Sequence, residues 1–320
     1  MGNPTKLNYF SPSKPDSGLA SSLNPLPRIY IPRPDSYMAL FSFILAPLEG
    51  YSDGALRTLC HNHGADMTFT EMAHVESFLR GNKQSLAKIV VADSTPVQIQ
   101  LLTGREDQLE RFIEGFKPFQ GFRGFNLNLS CPSMDVIRHG KGAAMVKRAA
   151  KTQKLVSIIQ GHGYAASLKM RLGINEYEKR NKLYLNSLGG VEADLFIVHA
   201  KTAAQESGEP EDYSVFPECV EAAGGAPVVA NGGIDSSDKV KALMEMGVAG
   251  VMIGRAALCN PAVFDALKNE LGLNEPSRPV PTTDELMREY DSLHERLHGH
   301  ESYRDSFLRV AGRRVGSVTY

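Results

Sequence analysis

From Phe43 onward the chain repeats one unit: a short apolar run, a polar or glycine residue at its end, then a helix-compatible stretch. The apolar runs are Phe43–Ala46, Met67–Glu71, Val97–Leu101, Gly124–Leu129, Ala166–Arg171, Leu195–His199, Pro227–Ala230 and Gly250–Ile253. Amphipathic stretches lie between most of them, at Glu106–Phe116, Ala143–Gln160, Glu176–Leu188 and Ser236–Met246. Ser236 followed by Asp238 is a helix-start pair. Strands that stay apolar along their length, without polar alternation, belong to a parallel sheet covered on both faces. Eight such units over about 210 residues close most economically as an α/β (β/α)8 TIM barrel. An open doubly wound sheet is the alternative. It calls for a Gly-x-Gly-x-x-Gly turn after the first strand, where this chain has Pro47-Leu48-Glu49-Gly50.

Outside the repeat, residues 1–37 are rich in Pro, Ser and Asn with isolated aromatics, and form an N-terminal extension, loose or laid over the surface. The barrel is expected over 38–275. Pro276, Pro279 and Pro281 then make a stiff linker. Thr283 is expected to cap a helix with Leu286, Tyr290, Leu293 and Leu297 on one face, and a second helix near Tyr303–Ala311 ends a short helical appendage over 276–320. A net charge of −1 argues against coating nucleic acid by overall charge, but leaves room for a local patch. One stretch qualifies: Arg138, Lys141, Lys147, Arg148, Lys151 and Lys154 lie within 138–154 with no acid among them. It is either a solvated helix face or a surface for phosphates.

The four cysteines are far apart with no Cys-x-x-Cys pair, which excludes a zinc ribbon and suits a reducing cytosol, so a cytoplasmic protein is expected. No apolar run approaches the roughly 20 residues needed to cross a bilayer, and no secretory signal opens the chain. His61-Asn62-His63 spells a nuclease-like triplet but ends a helix and lacks the rest of a metal site, and His294, His298 and His300 are expected on a solvated helix face, so no metal is expected. Nothing indicates an oligomeric partner.

In a barrel of this kind, chemistry is placed at the C-terminal ends of the strands. Those ends carry Pro47-Leu48-Glu49, Glu71, Gln98 and Gln100, Asn128 with Cys131, Lys169 with Arg171, His199 with Lys201, Asn231-Gly232-Gly233, and Gly254-Arg255. A single polar strand end is ordinary; the same feature on so many strands is not. Gly232, Gly233 and Gly254 leave backbone N–H groups able to face an anion, and Arg255 adds a cation, so the last two ends make a phosphate site or, failing that, tight turns. Lys169, pointing to the mouth, needs an anionic partner, which an electron-rich ring such as a reduced flavin supplies. His199 either hydrogen-bonds the same ring or is structural. Phe125–Pro132 runs as a strand into Cys131, a thiol that proline forces off the strand beside side-chain amides.

Taken in order, these segments resemble the tRNA-dihydrouridine synthases. Leu45–Asp53 resembles the family's opening strand and flavin-contacting turn, Asn128-Leu129-Ser130-Cys131-Pro132 its catalytic loop, and Gly140–Ala144 the Gly-rich segment after it. Lys169-Met170-Arg171, Val198–Thr202, Asn231–Ile234 and Ile253–Leu258 follow in the family's order, so the resemblance covers about residues 43–265. It implies a barrel holding FMN, NADPH as reductant, tRNA as partner, and hydride delivery to C6 of a uridine while Cys131 protonates C5. A free thiol titrates near about 8.5 and is mostly protonated at neutral pH, as a general acid must be. The resemblance assigns Pro47, Leu48, Glu49, Gln98, Lys169, Asn231, Gly232, Gly233, Gly254 and Arg255 to FMN, with His199 near the flavin. Asn128 goes to the uracil, and Arg171 and Lys201 to the substrate side. The uridine must leave its stack to reach such a mouth. Three features depart from the pattern: Ser130 stands where Gly is usual, Lys201 replaces an Arg and loses its bidentate fork, and the tail is short. The alternatives are a dihydroorotate dehydrogenase-like flavoenzyme acting on a free pyrimidine, whose loop also reads Asn-x-Ser-Cys-Pro, and an RNA-binding barrel that has lost catalysis.

Overall fold

The computed structural model describes residues 41–89, 91, 93–313 and 315. The expected extension over 1–37 lies outside the described residues. Within them the chain forms nine parallel strands: β1 Ser42–Leu45, β2 Thr68–Phe69, β3 Ala73–His74, β4 Val97–Leu102, β5 Phe122–Leu129, β6 Ala166–Arg171, β7 Leu195–His199, β8 Val228–Asn231 and β9 Gly250–Ile253. They run in the spatial order β1-β9-β8-β7-β6-β5-β4-β2, with β3 beside β4. Leu45 of β1 pairs with Ile253 of β9, and an Ile44–Met67 bridge joins the first strand to the start of the second. The sheet therefore curls round on itself, helices cover its outside, and the architecture is a (β/α)8 TIM barrel.

Eight runs were expected, and the second one is split. Met67–Glu71 yields only the two-residue β2 before the chain turns, and β3 resumes the pairing with β4. The cause is Glu71. Its Oε1 accepts from the N–H groups of Gly50 (2.6 Å) and Tyr51 (3.2 Å), and its Oε2 accepts from the Tyr303 hydroxyl (2.9 Å). The residue is 2% exposed and joins the first βα turn to the tail, so the strand does not continue through it. The stretch Ala143–Gln160 is also broken, into a 3-10 turn over Gly142–Met145 and a helix over Ala149–Gly161. Gly142 adopts φ 57°, and a Cβ there would lie 2.8 Å from the Cys131 carbonyl oxygen and 3.0 Å from the Cys131 Cβ. The turn has to be tight and side-chain-free to hold the cysteine loop.

The tail packs closely on the barrel. Its first helix spans Thr283–Arg296 and is capped by Thr282, one residue earlier than the sequence suggested. Thr282 and Glu285 form a reciprocal capping box, which fixes the start. Leu286, Tyr290 and Leu293 are buried as expected. His294 is buried too, stacked on Tyr290 at 5.9 Å between ring centres, so it does not lie on a solvated face. His61-Asn62-His63 likewise has a structural task, with Asn62 (2.8 Å) and His63 (2.7 Å) both bonding Glu289. The second tail helix, Glu301–Val310, places Tyr303 on Glu71. Among the described residues no helix is long and apolar enough to cross a membrane, and no group of three or more His, Cys, Asp or Glu is placed to hold a metal ion.

Candidate active site at the strand ends

Parallel strands in register carry their final side chains to one end of the barrel. Asn128 lies opposite Lys169, Arg171 opposite His199, and His199 opposite Asn231. A cavity of about 280 Å³ opens there. Pro47, Leu48, Glu49, Lys169, Arg171, His199, Asn231, Gly232, Gly233, Gly254 and Arg255 line it. Of the residues singled out from the sequence, Gln98, Asn128, Cys131 and Lys201 are not on that wall.

Gln98 and Asn128 belong to a hydrogen-bonded chain inside the barrel. The Ser167 hydroxyl donates to Gln98 Oε1 (2.5 Å) and accepts from Asn126 Nδ2 (2.7 Å). Gln100 Nε2 donates to Asn126 Oδ1 (2.8 Å), and Asn128 Nδ2 donates to Gln100 Oε1 (2.9 Å). Asn128 Oδ1 then accepts from the backbone N–H groups of Ser130 (2.9 Å) and Cys131 (2.8 Å). Buried amides must be paired, and here each pairing fixes the next side chain. The chain ends at the cysteine loop. On the other side of that loop, Arg171 Nε donates to the Ser130 carbonyl (3.1 Å) and its Nη1 to Thr202 (2.7 Å). Arg171 thus touches both the cavity and the segment that carries the partly exposed Cys131.

Lys169 is 8% exposed. Burial, reinforced by the neighbouring Arg171 cation, lowers its ammonium from 10.5 to about 7. Among the described residues no carboxylate balances it. His199 is held well below the usual imidazole range by burial first, and then by Lys169, Arg171, Lys201 and Arg255. It is a neutral ring in a positive cavity. In the unfolded chain the lysine keeps a proton up to about pH 10.5, so the full penalty for burying it applies below about pH 7 and fades as pH rises from 7 to 10.5. Lys169→Met is therefore expected to raise the thermal midpoint of the ligand-free protein, most at about pH 6 and least above about pH 10. A gain independent of pH would mean that another group is responsible.

The opposite wall is the glycine pair after β8. Gly232 and Gly233 adopt φ 118° and 56°, which only glycine takes without strain. Their loop is pinned from outside by the Tyr213 hydroxyl on the Gly232 carbonyl (2.5 Å) and by Lys239 Nζ on the Gly233 carbonyl (2.7 Å). Among the described residues, the N–H groups of Gly232 and Gly233 find no carbonyl partner. A side chain missed from the sequence, Glu211, packs against the side of both glycines where a Cβ would stand. A Cβ on Gly232 would lie 2.7 Å from Glu211 Cγ, and one on Gly233 would lie 2.9 Å from Glu211 Cδ. Glu211 Oε1 is 3.3 Å from Lys201 Nζ and 3.7 Å from Arg255 Nη2. Lys201, 2% exposed, also holds the carbonyls of Glu206 (3.2 Å) and Ser207 (2.9 Å), so its charge is spent on this loop. The available hint was a strand-end lysine followed by Glu206, Glu209 and Glu211, acids that such a cation gathers. At the mouth's edge, Glu49 pairs with Lys88.

The comparisons with known proteins agree with this geometry. The family model for Dihydrouridine synthase (Dus) matches residues 44–317. The chain is 30% identical over 285 residues to tRNA-dihydrouridine synthase B of Pseudomonas putida, covering 86% of this chain and 81% of the relative. It is 28% identical over 269 residues to the protein of that name from Vibrio vulnificus, covering 81% and 82%. A mouse tRNA-dihydrouridine(47) synthase-like protein is 28% identical over 228 residues, which are 71% of this chain and 36% of that longer relative. A crystal structure of DHODH in complex with ferulenol from Eimeria tenella aligns with a TM-score of 0.41 at 13% identity over 55% of this chain and 56% of that one, too remote to bear on the reading. A family match that takes in every strand-end segment lining the cavity leads to one conclusion: the chain belongs to the dihydrouridine synthase family.

Proposed function

We propose that the protein reduces uridines in tRNA to 5,6-dihydrouridine, with FMN in the strand-end cavity, NADPH as the reductant and Cys131 as the proton donor. The observation that carries the reading is Lys169, a buried amine that among the described residues has no carboxylate beside it, in a cavity also lined by a glycine pair whose N–H groups find no carbonyl partner among those residues. The residues present fit FMN. Lys169 and the neutral His199 suit a ring that gains negative charge, Asn231, Gly232, Gly233, Gly254 and Arg255 suit its phosphate, and Pro47, Leu48 and Glu49 complete the wall. The flavin, when bound, supplies the two-electron chemistry that saturates the pyrimidine C5–C6 bond at C6. The thiol of Cys131 holds the proton for C5, and Arg171 fixes the loop that presents it. Asn128 and Lys201 act on the substrate side through the loops they brace. The domain limits proposed are a barrel over 38–275 and a helical tail over 276–320. All four cysteines are free, which suits work in a reducing cytosol.

The test is a visible spectrum of the purified protein followed by the dihydrouridine content of tRNA incubated with it and NADPH. Flavin absorbance and new dihydrouridine are expected. A colourless protein that leaves tRNA unchanged would end the reading, and oxidation of free dihydroorotate without RNA would move the chain to the alternative flavoenzyme.

The basic stretch 138–154 is the proposed tRNA rim, although part of it is already engaged. Lys147 pairs with the buried Glu178 (2.7 Å) and Lys141 with Glu76 (3.1 Å). Arg138, Arg148 and Lys154 are exposed. Reversing those three to Glu is expected to weaken tRNA binding at least about tenfold at low salt and to flatten its salt dependence. An unchanged titration would make the stretch a solvated face.

A further inference from the structure

We infer that the tail holds the flavin cavity in shape: Tyr303 fixes the Glu71 carboxylate, and Glu71 positions the turn that carries Leu48 and Glu49 into the wall. Resting on the flavin reading of the cavity, this makes Glu71 a positioning residue, with Tyr303 acting through it. Leu48 and Glu49 line the cavity, and the next two residues give their N–H groups to Glu71 Oε1, Gly50 at 2.6 Å and Tyr51 at 3.2 Å. The turn closes on itself through the Leu48 carbonyl, which accepts from the N–H groups of Tyr51 (3.0 Å) and Ser52 (2.9 Å). Those bonds give the turn its shape. Its place on the barrel comes from Glu71 and from Arg57, whose Nη1 donates to the Ser52 carbonyl (2.7 Å). Packing adds little at Gly50, where a Cβ would meet nothing within 4 Å.

Glu71 can do this only while its second oxygen is satisfied, because a buried carboxylate needs donors on both. Oε2 accepts from the Tyr303 hydroxyl at 2.9 Å, and Lys88 Nζ, already paired with Glu49, stands off at 3.8 Å. Without the hydroxyl, Oε2 has only that distant, shared cation, and the carboxylate turns away to find water. Its grip on Gly50 and Tyr51 weakens with that turn. The tail meets the same cavity a second time. Val315 is part of its lining, and the Gly312 N–H donates to the Cys259 carbonyl (2.8 Å) at the end of the helix Arg255–Cys259, whose Arg255 and Ala256 lie in the wall. The appendage therefore belongs to the cofactor site. Glu289 supplies the contrast, since it ties the tail to Asn62 and His63 instead. They sit at the far end of the nine-residue helix Gly54–Asn62, about 13 Å from its start beside the turn. Removing Glu289 weakens the docking of the tail without touching the turn.

The test uses the full chain stripped of flavin, with FMN affinity read by fluorescence quenching in the parent, Tyr303→Phe, Glu71→Gln, Glu71→Ala and Glu289→Ala. Tyr303→Phe keeps the ring, loses the hydroxyl, and is expected to weaken FMN binding at least about fivefold. Glu71→Ala is expected to weaken it at least about thirtyfold. Glu71→Gln keeps an oxygen for both N–H groups and an N–H for the Tyr303 oxygen, so it is expected within about threefold of the parent. Glu289→Ala is expected to lower the thermal midpoint and to leave FMN affinity within about twofold. Unchanged affinity in Tyr303→Phe, or an equal loss in Glu289→Ala, overturns the inference. So does a Glu71→Gln affinity as low as that of Glu71→Ala, since charge and not the turn would then matter. Tyr303→Phe carries the comparison if Glu71→Ala fails to fold. Amide exchange supplies an arm without cofactor: over residues 48–51 of the flavin-free chain it is expected to quicken at least about fivefold in Tyr303→Phe and to match the parent in Glu289→Ala. If no chain binds FMN, the flavin reading falls. The role of Glu71 and Tyr303 then stands on that exchange pattern, and falls if Tyr303→Phe matches the parent or both variants quicken alike.

Discussion

Cys131→Ala is expected to retain flavin and its reduction by NADPH while slowing uridine reduction by about 10²–10⁴-fold. The separation follows from the site's layout. The cavity proposed for the flavin is lined by residues at the ends of β6, β7, β8 and β9 and in the turns after β1, β8 and β9, and Cys131, on the loop after β5, is not among them. Removing its sulfur takes away the proton source without touching that wall. The loop itself should hold, because its backbone is fixed by Asn128, by Arg171 and by the Ala143 N–H on the Cys131 carbonyl (3.1 Å). Flavin content, the rate of flavin reduction and the rate of dihydrouridine formation are measured on one preparation. A variant that loses its flavin, or reduces uridine at the parent's rate, removes Cys131 from the proton-donor role.

Asn128→Ala should be nearly as damaging, and for a different reason. The amide is buried and makes four hydrogen bonds, three received from the cysteine loop and one given to Gln100. Alanine leaves two backbone N–H groups, one hydroxyl and one amide oxygen without these partners, a loss of about 2–4 kcal/mol if water does not enter. The loop that carries the thiol then loses its register with the cavity, and misplacing a reacting group by about 1 Å can cost about 10²-fold in rate. A drop in thermal midpoint together with slower uridine reduction at constant flavin content is the expected pair of results. Loss of stability with a normal rate would show that Arg171 and the Ala143 N–H suffice to position Cys131.

The barrel was legible because its strands need little context. Runs such as Leu195–Val198 and Gly250–Ile253 are apolar throughout, as parallel strands covered on both faces are, and the lack of a Gly-x-Gly-x-x-Gly turn after the first strand favoured the closed barrel over the open doubly wound sheet. Reading failed where one side chain overrode a local pattern. Met67–Glu71 looks like a strand until Tyr303, more than two hundred residues away, claims Glu71. His294 looks solvated until Tyr290 stacks on it. The cavity wall was legible for the same reason as the barrel: parallel register sends strand ends to one rim, so Lys169, Arg171, His199 and Asn231 had to meet. What register does not give is side-chain reach. Asn128 and Lys201 sit at the right strand ends but turn to brace loops, and Glu211, in the loop that follows Lys201, packs against the glycine pair because two cations draw it there.

The clasp between the tail and the first βα unit has a consequence for how the molecule is made. The helix Gly54–Asn62 is synthesised more than two hundred residues before the tail, and Asn62, His63 and Glu71 must wait for Glu289 and Tyr303. β1 waits as well, since its neighbour β9 comes last in sequence among the described strands. The first part of the barrel to be made is therefore the last to be covered, and until then its apolar surface is open to unwanted association. Ring closure and tail docking become one late event, which places the burden of chaperoning on the first fifty residues of the barrel. A chain cut before Thr283 would leave that surface bare for its whole life.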